Sequence, residues 1–363
     1  MLRQAPPDWD RLSELAVRHG LQPLLFAHIN QHFRNLLPRG VYAAWWSRQR
    51  QLEQRNQAMT QELRSILALL GEHSIPAVPY KGPVLAHDAY GVLALREFGD
   101  LDLLLRPEDI RTARKLLESL GYRAEFPLPP TLEDAFLRAR EHYHLMLVCD
   151  ARNLHVELHW RTDAQFQVEP ADDPAWWQSL PVSDWPLPAT RRFVDHELLL
   201  MLCLHGSKHR WERLAWLTDI AVWLHRHPAP DWAWMMERAA TLCASRRFAL
   251  ALHLLRDVHR ADLPAEVDQW LQQQGKARRI ADVISHEWFE DEQEGAWHRL
   301  GANLQLYETA GQKIRHVVDV LFRPSLLEWS RWPLPRALYF LYAPLRIARL
   351  GRRQLDALLG RDA

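Results

Sequence analysis

The stretch Arg96-Glu-Phe-Gly-Asp100-Leu-Asp102-Leu-Leu-Leu105 decides how this chain is read. Residues 100–105 read as a short strand, and residues two apart on a strand share a face. Asp100 and Asp102 therefore project together, while Leu101 and Leu103 enter the core. Two carboxylates at this spacing suit a divalent cation, because Mg²⁺ prefers carboxylate oxygens together with substrate phosphates. An isolated pair of acids is equally compatible with the solvated end of a strand.

Two further stretches add to it. Leu154-His-Val-Glu-Leu-His-Trp160 alternates, with Val156, Leu158 and Trp160 on one face and His155, Glu157 and His159 on the other. If this strand lies beside the first, Glu157 becomes the third carboxylate of a cluster. The same polar face, taken alone, offers His155, Glu157 and His159 as zinc ligands of a hydrolase. Val78-Pro-Tyr-Lys-Gly-Pro83 ends an apolar strand in Lys81-Gly82, and Pro83 opens a helix. Glycine there lets the backbone approach a ligand closely, and a helix N-terminus beside an ammonium favours an anion. Lys81 is one of only five lysines against 40 arginines, so its persistence in an arginine-biased chain adds weight.

Outward from these stretches the pattern is mostly helical. Residues 1–73 read as a helical segment containing one long helix over 43–70, with Gly71 as its C-cap. Residues 74–162 read as an α+β core with strands near 75–80, 100–105, 122–126, 144–149 and 154–161, the last two forming a hairpin. Residues 163–190 read as a linker rich in Pro, Asp and Trp. Residues 191–322 read as a helical domain, and 323–363 as a basic, aromatic tail. The expected fold class is α+β, predominantly helical, with a small mixed sheet between an N-terminal helical segment and a C-terminal bundle.

The ordered combination resembles a bacterial family of nucleotidyltransferases within the polymerase-beta-like superfamily. Lys81-Gly82, Arg96 with Asp100 and Asp102, and Glu157 with His159, Trp160 and Arg161 carry the likeness. It continues in Leu204-His-Gly-Ser-Lys-His-Arg-Trp211 and Leu214-Ala-Trp-Leu-Thr-Asp219, so that it spans about residues 75–225. Two positions depart from what is usual: Lys-Gly stands where the wider superfamily has Gly-Gly or Gly-Ser, and Glu157 stands where Asp is commoner. The resemblance implies transfer of a nucleoside monophosphate from a nucleoside triphosphate to an acceptor, with Mg²⁺ (or Mn²⁺) on Asp100, Asp102 and Glu157. It implies phosphate contacts from Lys81, Gly82, Arg96 and Lys208. His159, His205, His209 and Asp219 are accessory candidates. In one reading the helix pair bearing the last three closes the cleft, with Asp219 anchoring a histidine; in the other they form an interhelical polar cluster that fixes the bundle.

Composition bounds the rest. At 363 residues, with 48% hydrophobic and 25% charged, the chain is neither disordered nor collagen-like. Forty-five basic residues balance 45 acidic ones, so no overall nucleic-acid footprint exists and a small-molecule or peptide acceptor is the better expectation. A non-catalytic nucleotide-binding or adaptor protein on the same fold is the alternative of another class. Three scattered cysteines and no apolar leader point to a cytoplasmic setting. From Arg331 onward seven Arg and two Asp interleave with aromatics. That mixture fits a peripheral membrane or protein contact through 324–363, or an Arg-rich helix packed on the bundle.

Overall fold

The computed structural model describes residues 7–127, 130–139, 142–162, 172–290 and 296–358. Helices α1 (Trp9–Arg18), α2 (Gln22–His32) and α3 (Arg39–Glu72) open the chain. The Asp8 carboxylate caps α1 by accepting from the amides of Asp10 and Arg11 at 3.1 and 3.0 Å. The 34-residue α3 buries Leu63, Ile66 and Leu70 on one side. The expected stop at Gly71 is corrected: the helix runs to Glu72, and Ser74 takes the left-handed conformation with φ 57°.

A five-stranded mixed sheet follows: β1 (Ala77–Pro79), β2 (Asp100–Leu105), β3 (Arg123–Ala124), β4 (His144–Cys149) and β5 (Leu154–His159). Its order is β1-β2-β5-β4-β3. Only β2 and β5 pair in parallel; the other neighbours are antiparallel. The proline-bearing β1 lies at the edge, where a missing N–H costs least. Between β1 and β2 the chain makes one turn of helix, α4 (Gly82–Leu85), and a π-turn over 86–90. The crossover from β2 to β5 carries α5 (Ile110–Ser119) and α6 (Pro130–Arg138).

Alternation divides the sheet into two faces. Leu101, Leu103, Leu105, Val156, Leu158 and Trp160 join α3 and α5 in one core. Leu104, Val78 and Tyr80 face a second, larger core built by α8 (Asp195–Lys208), α9 (Leu214–Arg226), α10 (Trp232–Thr241), α11 (Ser245–His259), α12 (Ala265–Gln272) and α13 (Gly275–Glu287). Asp100, Asp102, Glu157 and His159 belong by alternation to that second face, so the acids look toward the helices. The stretch expected to be a plain linker holds, where described, α7 (Pro174–Ser179) and a two-stranded ribbon of Val182–Ser183 with Thr190–Arg191. No helix among the described residues is long and apolar enough to cross a membrane.

The C-terminal segment folds back on the core. Leu132, Trp329 and Tyr342 bury one another, and Glu328 is fully buried. Burial pushes the Glu328 carboxyl up, but Ser325 and the guanidiniums of Arg349 and Arg346 outweigh it and hold the group below its ordinary value. Arg346 donates at 3.1 Å, and Arg349 donates to the other oxygen. These two arginines thus anchor the last helix (Tyr342–Leu358) from within. Removing one partner of a buried ion pair costs about 3–5 kcal/mol. Glu328→Gln is therefore expected to free residues 342–358, seen as proteolysis there at least ~10-fold faster than in the wild type.

Candidate active site

The Lys81-Gly82 turn, the start of β2 and the end of β5 meet at the C-terminal bundle. In the parallel register Asp102 lies opposite Glu157 and Asp100 opposite His155. Gly82 has φ +51°, and a Cβ there would stand 2.9 Å from the Asp100 carbonyl oxygen. Glycine thus lets the turn pass close against the strand that bears the acids.

The charges interlock. Lys81 Nζ donates to Asp102 Oδ1 at 3.0 Å. His159 Nε2 lies 3.2 Å from the same oxygen and 2.9 Å from Glu157 Oε2. Burial pushes the Asp102 carboxyl up, but Lys81 and His159 outweigh it and hold it well below the usual carboxylate range. Glu157 is likewise held low: its burial is outweighed by the His159 hydrogen bond and charge. The two carboxylates raise Lys81 and His159 in turn, each against the burial that would lower it. Asp100 is the exception. Burial, then the charges of Asp102 and Glu157, push it up to about 6.

Facing the acids, α8 presents His205 and Lys208, and His209 is its C-cap. Lys208 Nζ donates to the Tyr143 hydroxyl at 2.9 Å and sits 4.1 Å over that ring. The His205 and His209 rings are tilted against each other at 4.7 Å, and Trp216 meets His205 edge-on at 5.6 Å and His209 at a tilt at 5.4 Å. Burial, then Lys81, keeps His205 well below its ordinary pKa. Between the two walls lies a cleft of 390 Å³ that reaches Lys81, Gly82, Arg96, Asp100, Glu157, His159, His205, Lys208 and His209. Asp102 lies beneath it, buried at 3% exposure.

Arg96 and Asp219 meet, 123 residues apart in sequence. Arg96 Nε and Nη2 donate to the two oxygens of Asp219 at 2.9 and 3.0 Å, and Tyr90 adds its hydroxyl at 2.7 Å. Asp219 therefore anchors an arginine and a tyrosine, which corrects the expectation of a histidine. The remaining Arg96 nitrogen, Nη1, stands 3.5 Å from the Gly82 carbonyl.

The zinc triad also needs correction. His155 is exposed and four residues from His159, and four residues of strand span roughly 13 Å. His144 takes its place, because the hairpin pairs His144 with His159. The four-residue turn over 150–153 sets that register and is the sequence signal that points to His144.

A family model described as an uncharacterised nucleotidyltransferase matches residues 5–259, well over half of the chain. The chain belongs to this nucleotidyltransferase family. Membership implies a nucleoside triphosphate as substrate. Among solved structures, this family member is similar to the antibiotic-resistance factor ANT(2'')-Ia, whose solution structure is titled for substrate-regulated conformation dynamics. The identity is 17%, over 55% of this chain and 97% of that one, with a TM-score of 0.37. No curated protein matches the chain.

Nucleotidyltransferases generally use divalent metals, and the donor set here fits one. Three carboxylates converge, and Asp102 Oδ2 is buried with no hydrogen-bond partner among the described residues. A buried carboxylate oxygen without a donor is costly. A hard cation with oxygen preference would satisfy it and relieve the repulsion on Asp100.

Proposed function

We propose that this nucleotidyltransferase moves a nucleoside monophosphate from a nucleoside triphosphate to a small-molecule or peptide acceptor. Asp100, Asp102 and Glu157 would hold Mg²⁺, or Mn²⁺. The observation that carries the reading is the parallel register of β2 and β5, which sets Glu157 opposite Asp102 on the face that looks into the cleft. When bound, the ion supplies Lewis-acid polarisation of the phosphoryl oxygens and charge neutralisation.

The chain's own residues take the remaining roles. Lys81 and His159 both contact Asp102 Oδ1, which fixes the carboxylate and leaves Oδ2 for a cation. His159 also holds Glu157, so both acids keep one orientation without rearrangement. Lys81 and Lys208, on opposite walls, bring positive charge to a triphosphate, and the Gly82 turn lets phosphate approach the backbone. Arg96, already bound to Asp219, braces that turn. The acceptor oxygen or nitrogen attacks the α-phosphorus, its bond to the bridging oxygen breaks, and pyrophosphate leaves. Glu157, beside the acids and facing the cleft, is the group placed to take the acceptor's proton. The 390 Å³ cleft suits a small acceptor, and the chain's zero net charge speaks against a polynucleotide.

Calorimetric titration of a nucleoside triphosphate panel checks the reading. At least one nucleotide is expected to bind with Mg²⁺ and to lose binding when the ion is withheld or when Lys81→Ala removes the ammonium. Absence of binding by every nucleotide in the presence of Mg²⁺ overturns it.

A further inference from the structure

Beside the carboxylate pair lies a donor set of another chemistry. His144 opens β4 and His159 closes β5, and the hairpin sets them opposite each other. Their rings stack at 5.1 Å with 27° between planes. Glu157 sits between them, with Oε2 2.9 Å from His159 Nε2 and Oε1 4.0 Å from His144 Nε2. One ligating atom from each of the three lies within 4.8 Å of the others. Nδ1 of His144 and Nδ1 of His159 are both buried with no hydrogen-bond partner among the described residues. Each ring therefore keeps one nitrogen outside the existing hydrogen bonds, and an ion on the Glu157 side takes His159 Nε2 in place of its contacts to Glu157 and Asp102. The sheet backbone holds all three residues, so their spacing does not depend on loop geometry.

We infer that His144, Glu157 and His159 form a second cation site, selective for a borderline divalent ion such as Zn²⁺. Two imidazoles and one carboxylate are a donor set that zinc accepts, with a position left for water, whereas Mg²⁺ takes oxygen ligands. The site shares Glu157 with the Asp100 and Asp102 cluster. Its consequence rests on the proposed reaction: zinc bound there draws Glu157 away from the other two acids, so micromolar Zn²⁺ inhibits a Mg²⁺-supported transfer.

The test uses the full chain, stripped with a chelator and kept free of nucleotide. Zn²⁺ is titrated in competition with a chromophoric chelator, and Co²⁺ is used as a spectroscopic probe of the same site. One Zn²⁺ per chain and visible Co²⁺ bands of four- or five-coordinate intensity are expected. His144→Gln, which keeps a polar side chain of similar size, and His144→Ala should each weaken Zn²⁺ roughly 10-fold or more and remove the Co²⁺ bands. Asp100→Asn should keep both. Failure of the wild type to bind Zn²⁺ stoichiometrically, or wild-type affinity in both folded His144 variants, overturns the site. Zinc binding without any Mg²⁺-supported transfer leaves the site standing and removes the reaction. Transfer without zinc binding does the reverse.

Discussion

Asp100→Asn is expected to yield a protein that melts higher and has lost most of its transfer activity. Asp100 is half-buried, and the neighbouring charges of Asp102 and Glu157 disfavour its ionised form. Unlike Asp102, it has no cationic group within ion-pair distance in the structure as described. A neutral amide of the same shape removes the repulsion, so Tm should rise by roughly 2 °C or more. The same change takes one carboxylate from the proposed cation site. Loss of several kcal/mol of transition-state stabilisation corresponds to a fall in kcat/KM of about 10³-fold or more. The two readouts moving in opposite directions mark a residue held against stability for chemistry. The double variant Asp100→Asn with Asp102→Asn is the more severe test. It leaves Lys81 and His159 without their anion, so some stability is lost, and circular dichroism must confirm folding. Mg²⁺-dependent triphosphate binding, measured by calorimetry, should vanish in the folded double variant. Binding at the wild-type level in that protein would sink the site.

The parts of this site that the sequence made legible are those fixed by local geometry. Alternation along six residues sets Asp100 and Asp102 on one face, and alternation along Leu154–His159 sets Glu157 and His159 together. A glycine followed by proline marks the turn at Lys81. What stayed hidden depends on register and on distant packing. Nothing near Arg96 announces Asp219 as its partner, because the pair forms only when α9 docks on the turn between β1 and β2. The zinc triad failed for a metric reason: sharing a strand face is not convergence when the residues are four apart. His144 converges instead from the neighbouring strand, at a register that a four-residue turn dictates. The C-terminal arginines illustrate a further limit. Their number reads as surface charge, yet Arg346 and Arg349 point inward to Glu328, an acid no local pattern distinguishes from an exposed one.

Asp219→Ala is expected to lower stability and triphosphate binding together. Asp219 is 2% exposed, and its loss leaves the Arg96 guanidinium buried without a counter-charge. Such a change costs about 3–5 kcal/mol, a drop of roughly 5 °C or more in Tm, and the Gly82 turn loses its brace at the same time. Triphosphate binding should weaken along with stability. That result alone does not say whether Arg96 touches phosphate. The pair Arg96→Met with Asp219→Leu does, because replacing both ions by apolar groups of similar volume is often near neutral in stability. Two of the three guanidinium nitrogens are held by Asp219, and the third lies near the Gly82 carbonyl. Bracing is thus the role the geometry favours. In the double variant apolar contact replaces the ion pair in holding the turn, so it should recover most of the lost Tm, short of the cost of the unpaired Tyr90 hydroxyl, and bind triphosphate within about tenfold of wild type. Recovery of Tm with binding still lost by about 10²-fold or more would instead make Arg96 a direct phosphate contact. A charge-assisted hydrogen bond in a partly dry cleft is worth that much.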